Sequence, residues 1–157
     1  KDDTELGITE ETASDDQIVN IALFGVDTRD NTDTGRSDAM IILTVDQVHK
    51  KVKMTSLARD TRVEIEGYGY EKLCHAYAYG GPELAIQTIN RNFGLDIRDY
   101  VTVNFEQLAS IIDLLGGVVV NVDQDEADVF NSMFASDTVP AITETGDIRL
   151  TGAQAVG

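Results

Sequence analysis

The sequence predicts an α/β fold: a mixed central β-sheet flanked by helices in α-β-α layers. Three observations carry this. Short apolar runs end at glycine or charge between residues 18 and 57, helical apolar spacing takes over after Leu73, and from there helices alternate with strands as far as "VVVNV". A hairpin among the first strands makes the sheet mixed rather than all-parallel.

Residues 1–17 are polar and acidic without periodicity, and they read as a flexible lead-in to a single domain over 18–157. "IVNIALFG" (Ile18–Gly25) reads as a buried strand. Polar residues with Gly35 give 26–37 the composition of a loop. "AMIILTV" (Ala39–Val45) is a second buried strand, and the alternating "KVKMTSL" (Lys51–Leu57) a third, joined to it by a turn around Asp46–Lys50. "VEIEG" reads as a further short strand. Gly81-Pro82 opens a helix whose apolar face is Leu84, Ala85, Ile86, Ile89 and Phe93, closed by Gly94. "YVTVN" is a strand. Phe105–Leu115 repeats the helical pattern with Leu108, Ile111, Ile112 and Leu115 until Gly116-Gly117 stops it, and Val118–Val122 is another strand. The two apolar helical stripes read as core-forming, and residues 123–147 as acidic and irregular.

The 157 residues suffice for one core, and 42% hydrophobic with 25% charged residues is a globular composition. A net charge of −16 excludes duplex nucleic acid as a partner, because phosphate binding needs a basic footprint. The single cysteine, Cys74, excludes an internal disulfide and a cysteine-based metal site. The charge is uneven. Residues 29–72 hold eight of the twelve basic residues and eight acids, a local net of zero, and an anionic ligand would meet the protein there.

Three loop-like segments in that stretch concentrate the charge: "GVDTRD" (Asp27, Arg29, Asp30), "GRSDAM" (Arg36, Asp38) and "LARDTR" (Arg59, Asp60, Arg62). The first and third follow the carboxyl ends of strands. The second precedes a strand that runs the other way in the hairpin, so all three converge on one rim, where open α/β sheets hold ligands. Asp27 and Asp38 suit Mg²⁺, a hard ion that shares oxygen ligands with phosphates. Arg59 and Arg62 can fork onto phosphoryl oxygens and Lys72 adds a point charge, which is what phosphoryl transfer requires. Spacing alone favours the plainer reading of solvated ion pairs, each worth about 0–1 kcal/mol. Asp30, Asp33 and Glu71 read as solvated, His75 as a packing or surface residue, and Cys74 as a small core residue.

The segments "GRSD", "RDTRVEI", "AYAYGGPELAI" and "LGGVVVNV", in that order, resemble the LytR-CpsA-Psr family of bacterial cell-wall enzymes from about Asn20 to Val156. The resemblance implies a mixed sheet between helices with an apolar tunnel for a polyprenyl tail. It implies a phosphotransferase on the extracytoplasmic face of the membrane, anchored by an N-terminal helix that precedes these residues. Such enzymes move a teichoic acid or capsular polysaccharide from a polyprenyl-pyrophosphate carrier to peptidoglycan, with Mg²⁺ as cofactor. By the same resemblance Asp27 and Asp38 are metal-associated and catalytic acids. Arg36, Arg59, Arg62 and Lys72 surround the pyrophosphate, Arg59 catalytically; adjacency in the chain, rather than the resemblance, suggests that Asp60 orients Arg59 from behind. The alternative function is a non-catalytic or regulatory module that binds polyprenyl phosphate or pyrophosphate lipids.

Two departures stand out. Ala58 replaces a frequent proline before "RDT", and the chain stops at "RLTGAQAVG", where the family pattern continues into a further arginine-rich motif and a closing helix. On the resemblance, the C-terminal part of the domain is therefore missing.

Overall fold

The computed structural model describes residues 2–9, 12, 17–27 and 35–157; Arg29, Asp30 and Asp33 lie outside the described residues. The chain divides into two compact units, Lys1–Asn104 and Phe105–Gly157, each with its own apolar core.

In the first unit, β1 (Ile18–Val26), β2 (Ser37–Asp46), β3 (Lys51–Leu57) and β6 (Asp99–Asn104) form a four-stranded sheet in the order β3-β2-β1-β6. β1 pairs antiparallel with β2 and parallel with β6, and β2 pairs antiparallel with β3, so the sheet is mixed as expected. The β2–β3 turn is pinned by Asp46, whose two carboxylate oxygens meet the backbone N–H and Nδ1 of His49 at 2.9 and 2.8 Å. Alternation along the strands points Ala22, Phe24 and Val26 of β1, with Met40 and Ile42 of β2, into the core. A second hairpin, β4 (Arg62–Ile65) with β5 (Gly69–Lys72), buries Val63 and Ile65 and turns outward Arg62 and Glu64. β5 was not legible in "GYEK", and its turn relies on Gly67 and Gly69 with φ near +80°.

The helix α1 (Leu73–Phe93) begins earlier than the Gly81-Pro82 start that the sequence suggests. It breaks at Gly80 and Gly81, where Gly81 has φ +66°, and Pro82 opens its second half. Both halves pack on the core, the first through Leu73, Cys74, Ala76 and Tyr77, the second through Ala85, Ile86 and Ile89. Of the stripe read from the sequence, Phe93 stays exposed. Gly94, in the left-handed region, caps the helix by donating to the Asn90 carbonyl at 2.9 Å.

The acidic opening is attached over its described residues rather than free. Leu6 is buried, Arg98 grips Asp3 with two bonds of 3.0 Å, and Asn90 and Gln87 of α1 donate to the Leu6 and Glu5 carbonyls at 2.8 and 3.0 Å. Composition reads such a stretch as solvated, but one leucine and a few satisfied carbonyls are enough to dock it.

The second unit contains α2 (Phe105–Leu114), β7 (Val118–Val122), α3 (Gln124–Met133), β8 (Gly146–Leu150) and α4 (Gly152–Ala155). β7 and β8 pair antiparallel. The acidic segment after β7 is thus not irregular at its start. Asp123 and Glu126 close a reciprocal capping box on α3, with bonds of 2.8 and 3.0 Å. The α2 stripe does not form core: Leu108, Ile111 and Leu115 are exposed, and the small core of this unit gathers on Val122, Ala127, Ile142 and Leu150.

Candidate active site

β1 ends at Val26, β2 starts at Ser37 and β3 ends at Leu57, all on the same edge of the sheet, which makes the rim read from the sequence a geometric fact. Asp27 donates its backbone N–H to the Arg36 carbonyl at 3.3 Å, and both side chains are exposed. Gly25 pairs with Ala39 but Val26 with Ser37, so Asp38 is the extra residue of a β-bulge. Buried Ser37 holds the bulge by donating from Oγ to the Ala39 carbonyl at 3.0 Å. Asp38 is left without a ladder partner and turned outward, where Nη1 of Arg59 donates to its Oδ1.

Arg59 sits on a turn fixed at both ends. Thr61 donates through its N–H and Oγ1 to the Ala58 carbonyl at 3.0 and 2.7 Å. The Arg59 and Thr61 carbonyls accept from Cys74 and Leu73, the first residues of α1, at 3.0 and 2.9 Å. The motif "RDTR" is therefore an anchored loop on which two side chains remain available. Cys74 is fully buried, as a small core residue should be.

Asp60, expected to orient Arg59, instead binds Lys72, with Oδ1 and Nζ 2.8 Å apart, because the β4–β5 hairpin returns Lys72 to the start of β4. The hydrogen bond from Lys72 comes first among the causes that hold the Asp60 carboxyl below its ordinary range. The charge of Lys72 adds to it, with smaller help from Arg59 and His75. Arg62 stands opposite Lys72 in the ladder and lays its guanidinium over the Tyr70 ring at 4.9 Å. Asp38–Arg59 and Asp60–Lys72 are thus two ion pairs, with Arg62 paired in β4 across from Lys72 and Asp27 and Arg36 joined at the end of β1. The seven predicted residues, four cations and three carboxylates, lie at strand ends and on the turn between β3 and β4.

No cluster of three or more metal-ligating side chains occurs among the described residues. The rim offers instead two exposed carboxylates, Asp27 and Asp38. That donor set fits Mg²⁺, which commonly takes one or two carboxylates and completes its shell with water and phosphate oxygens. A cavity of about 450 Å³ lies elsewhere, at the far tip of the β4–β5 hairpin, lined by Glu64, Glu66, Arg91 and Asn92 among others. It touches none of the residues of the rim. No helix among the described residues is long and apolar enough to cross a membrane.

The model of the LytR_cpsA_psr family matches residues 1–157. The chain belongs to this family. A curated member, the polyisoprenyl-teichoic acid–peptidoglycan teichoic acid transferase TagU of Oceanobacillus iheyensis, is 47% identical over 109 residues, covering 66% of this chain and 34% of the relative. The protein of that name from Bacillus mycoides is 35% identical over 151 residues, covering 96% of this chain and 46% of the relative. The chain therefore spans between a third and a half of the curated family members it matches. Among solved structures, TagT bound to LI-WTA superposes with a TM-score of 0.75 at 30% identity, covering 89% of this chain and 53% of that one. The family protein YwtF (TagT) with bound octaprenyl pyrophosphate lipid gives 0.75 at 28% identity, covering 94% and 59%. The mixed sheet with flanking helices is the LytR-CpsA-Psr fold, as the sequence predicted.

Proposed function

We propose that residues 18–157 belong to a catalytic domain that transfers a glycopolymer from a polyprenyl-pyrophosphate carrier to peptidoglycan, outside the cytoplasm and at the bacterial cell wall. A teichoic acid is the favoured cargo, given the names of the relatives, and a capsular polysaccharide the other. The observation that carries this reading is the anchored "RDTR" turn, which holds Arg59 against Asp38 at the bulge and Asp60 against Lys72.

A diphosphate entering the rim meets Arg36, Arg59, Arg62 and Lys72. The two ion pairs hold Arg59 and Lys72 near the strand ends before the ligand arrives, so the cations are at hand when charge develops. The acceptor is a hydroxyl of peptidoglycan. Its oxygen forms a bond to the sugar-side phosphorus while the bond from that phosphorus to the bridging oxygen breaks, and polyprenyl phosphate leaves. The hydroxyl proton passes to a carboxylate, Asp38 or Asp27. Arg59, drawn from Asp38 onto the phosphoryl oxygens, stabilises the charge and at the same time frees Asp38 to act. Asp27 and Asp38 would hold Mg²⁺, which would supply further neutralisation of the phosphoryl charge.

The test is direct. The protein is incubated with a polyprenyl-pyrophosphate-linked saccharide, Mg²⁺ and peptidoglycan, and both released polyprenyl phosphate and saccharide joined to the wall are measured. Transfer supports the enzyme. Binding of the lipid with no released product would support the alternative, a module that holds such lipids without turning them over.

A further inference from the structure

A row of aromatic and carboxylate side chains that the transfer chemistry does not use runs from the start of α1 to the tip of the β4–β5 hairpin. Tyr68, at the tip of the β4–β5 hairpin, stacks on Tyr79 of α1 with ring centroids 4.3 Å apart and an interplanar angle of 17°. Both rings remain open to solvent, at 52% and 42% exposure. The His75 ring lies 5.7 Å from that of Tyr79, and Nδ1 of His75 is 3.0 Å from Oε2 of Glu71. Glu71, read from the sequence as simply solvated, thus has a partner. Glu71 directly precedes Lys72 in β5, and Lys72 binds Asp60, so the row starts one residue from the cation cluster. Along α1 it extends from the level of Lys72 to Tyr79, about 10 Å at the helical rise.

We propose that Tyr68 and Tyr79, together with Glu71 and His75, form a saccharide-binding ledge for the sugar rings next to the diphosphate. The proposal rests on the glycopolymer-transfer reading and names the part of the substrate held there. The negative faces of aromatic rings attract the polarised C–H face of a sugar, as they attract other positive edges. Glu71 uses one oxygen on His75 and keeps acceptor capacity for hydroxyls. A second phosphate is disfavoured by the carboxylate of Glu71. An isoprenoid tail is disfavoured because it would strip water from that carboxylate without replacing its hydrogen bonds. A neutral polyhydroxylated ring satisfies both the apolar faces and the acceptors. The stack adds little to the fold, since half-exposed rings at a hairpin tip bury only a small apolar area.

The experiment compares two probes, farnesyl pyrophosphate and the same lipid carrying one N-acetylglucosamine, by calorimetry in the presence of Mg²⁺. Wild type should bind the glycosylated probe more tightly. Tyr68→Ala combined with Tyr79→Ala should weaken that binding about 10-fold, leaving affinity for the bare pyrophosphate lipid unchanged. Tyr79→Phe should behave as wild type, because the ring and not the hydroxyl makes the contact, and it guards against a folding defect in the alanine variant. Equal affinity of wild type for the two probes, or equal losses on both, would overturn the ledge while leaving the transfer reading intact. Failure of wild type to bind either probe would overturn both.

Discussion

Arg59, just beyond the end of β3, donates a hydrogen bond to Asp38, the extra residue of the bulge at the start of β2. The two side chains are 40% and 41% exposed, so the pair contributes only about 0–1 kcal/mol to folding. Its importance lies in where it holds a guanidinium. Arg59→Ala should lower transfer by about 10²-fold or more, the usual cost of removing a preorganised charge from a transition state, with urea stability changed by less than about 1 kcal/mol. Arg59→Lys keeps the charge but loses the planar fork, and should fall in between. A product assay alongside a denaturation curve checks both, and full activity of the alanine variant would remove Arg59 from the mechanism.

The Asp60–Lys72 pair makes a prediction in pH. The folded pKa of Asp60 lies below its unfolded value because Lys72 bonds to the carboxylate. The resulting stability is present above the unfolded value and fades as pH falls through the folded one, in the acid range below about pH 4. Lys72→Met should move the Asp60 titration upward. Asp46, held low chiefly by the backbone N–H of His49, should not move. Carboxyl-carbon NMR titration of both residues reads this out, and an unmoved Asp60 would show that the pair does not persist in solution.

The rim could be read from the sequence because the apolar runs of β1, β2 and β3 stop where charge begins, and a hairpin then fixes which ends coincide. The bulge could not, since it depends on Ser37 bonding to a carbonyl two residues on, which leaves no mark on periodicity. Partner choice was equally hidden: Asp60 neighbours Arg59 in the chain but meets Lys72 across a hairpin whose second strand has only one aromatic residue to announce it. In the acidic segment Asp123 and Glu126 have the spacing of a capping box, a signal the sequence does carry. Leu108, Ile111 and Leu115 mark the opposite error. A helical stripe shows that a face is apolar, and does not say what covers it.

Asn90 is the residue on which the docking of the N-terminal stretch depends. Its side chain donates to the Leu6 and Ile97 carbonyls at 2.8 and 2.9 Å and accepts from the Ile97 N–H at 2.9 Å, all in a buried setting. Asn90→Ala strands these groups and should cost about 2–4 kcal/mol in chemical denaturation. Asn92→Ala, whose bonds to Glu64 are exposed, should cost clearly less. Comparable losses for the two variants would mean that burial does not set the price.

Gly152 explains physically why the "LTGAQA" segment needs a glycine. A Cβ there would lie 1.9 Å from the Ala109 carbonyl oxygen of α2, and the Gly152 N–H donates to Oδ1 of Asp113 at 2.7 Å. Gly152→Ala should push α4 off α2 and break that bond. Hydrogen exchange should then quicken at residues 153–156, while the amides of Ile86 and Ile89 in the first unit stay protected. Unchanged exchange at both places would show that the close approach is not maintained.

Removal of metal separates the roles of the two proposed acids. Chelation should abolish transfer, and added Mg²⁺ restore it, without altering the thermal melting of the protein, whose described core contacts are apolar. Asp27 contributes to the strand ends through its backbone, so Asp27→Asn leaves the bond to Arg36 in place and removes only a charged oxygen ligand. This variant should need more Mg²⁺ for half-maximal activity, with unchanged affinity for the pyrophosphate lipid at saturating metal. Asp38→Asn removes a ligand and also releases Arg59 from its ion pair, so it should alter metal requirement and lipid affinity together. Activity against Mg²⁺ concentration, measured for both variants beside lipid-binding titrations, distinguishes them. If Asp27→Asn shows the metal dependence of wild type, Asp27 is not a ligand, and its place at the rim is structural.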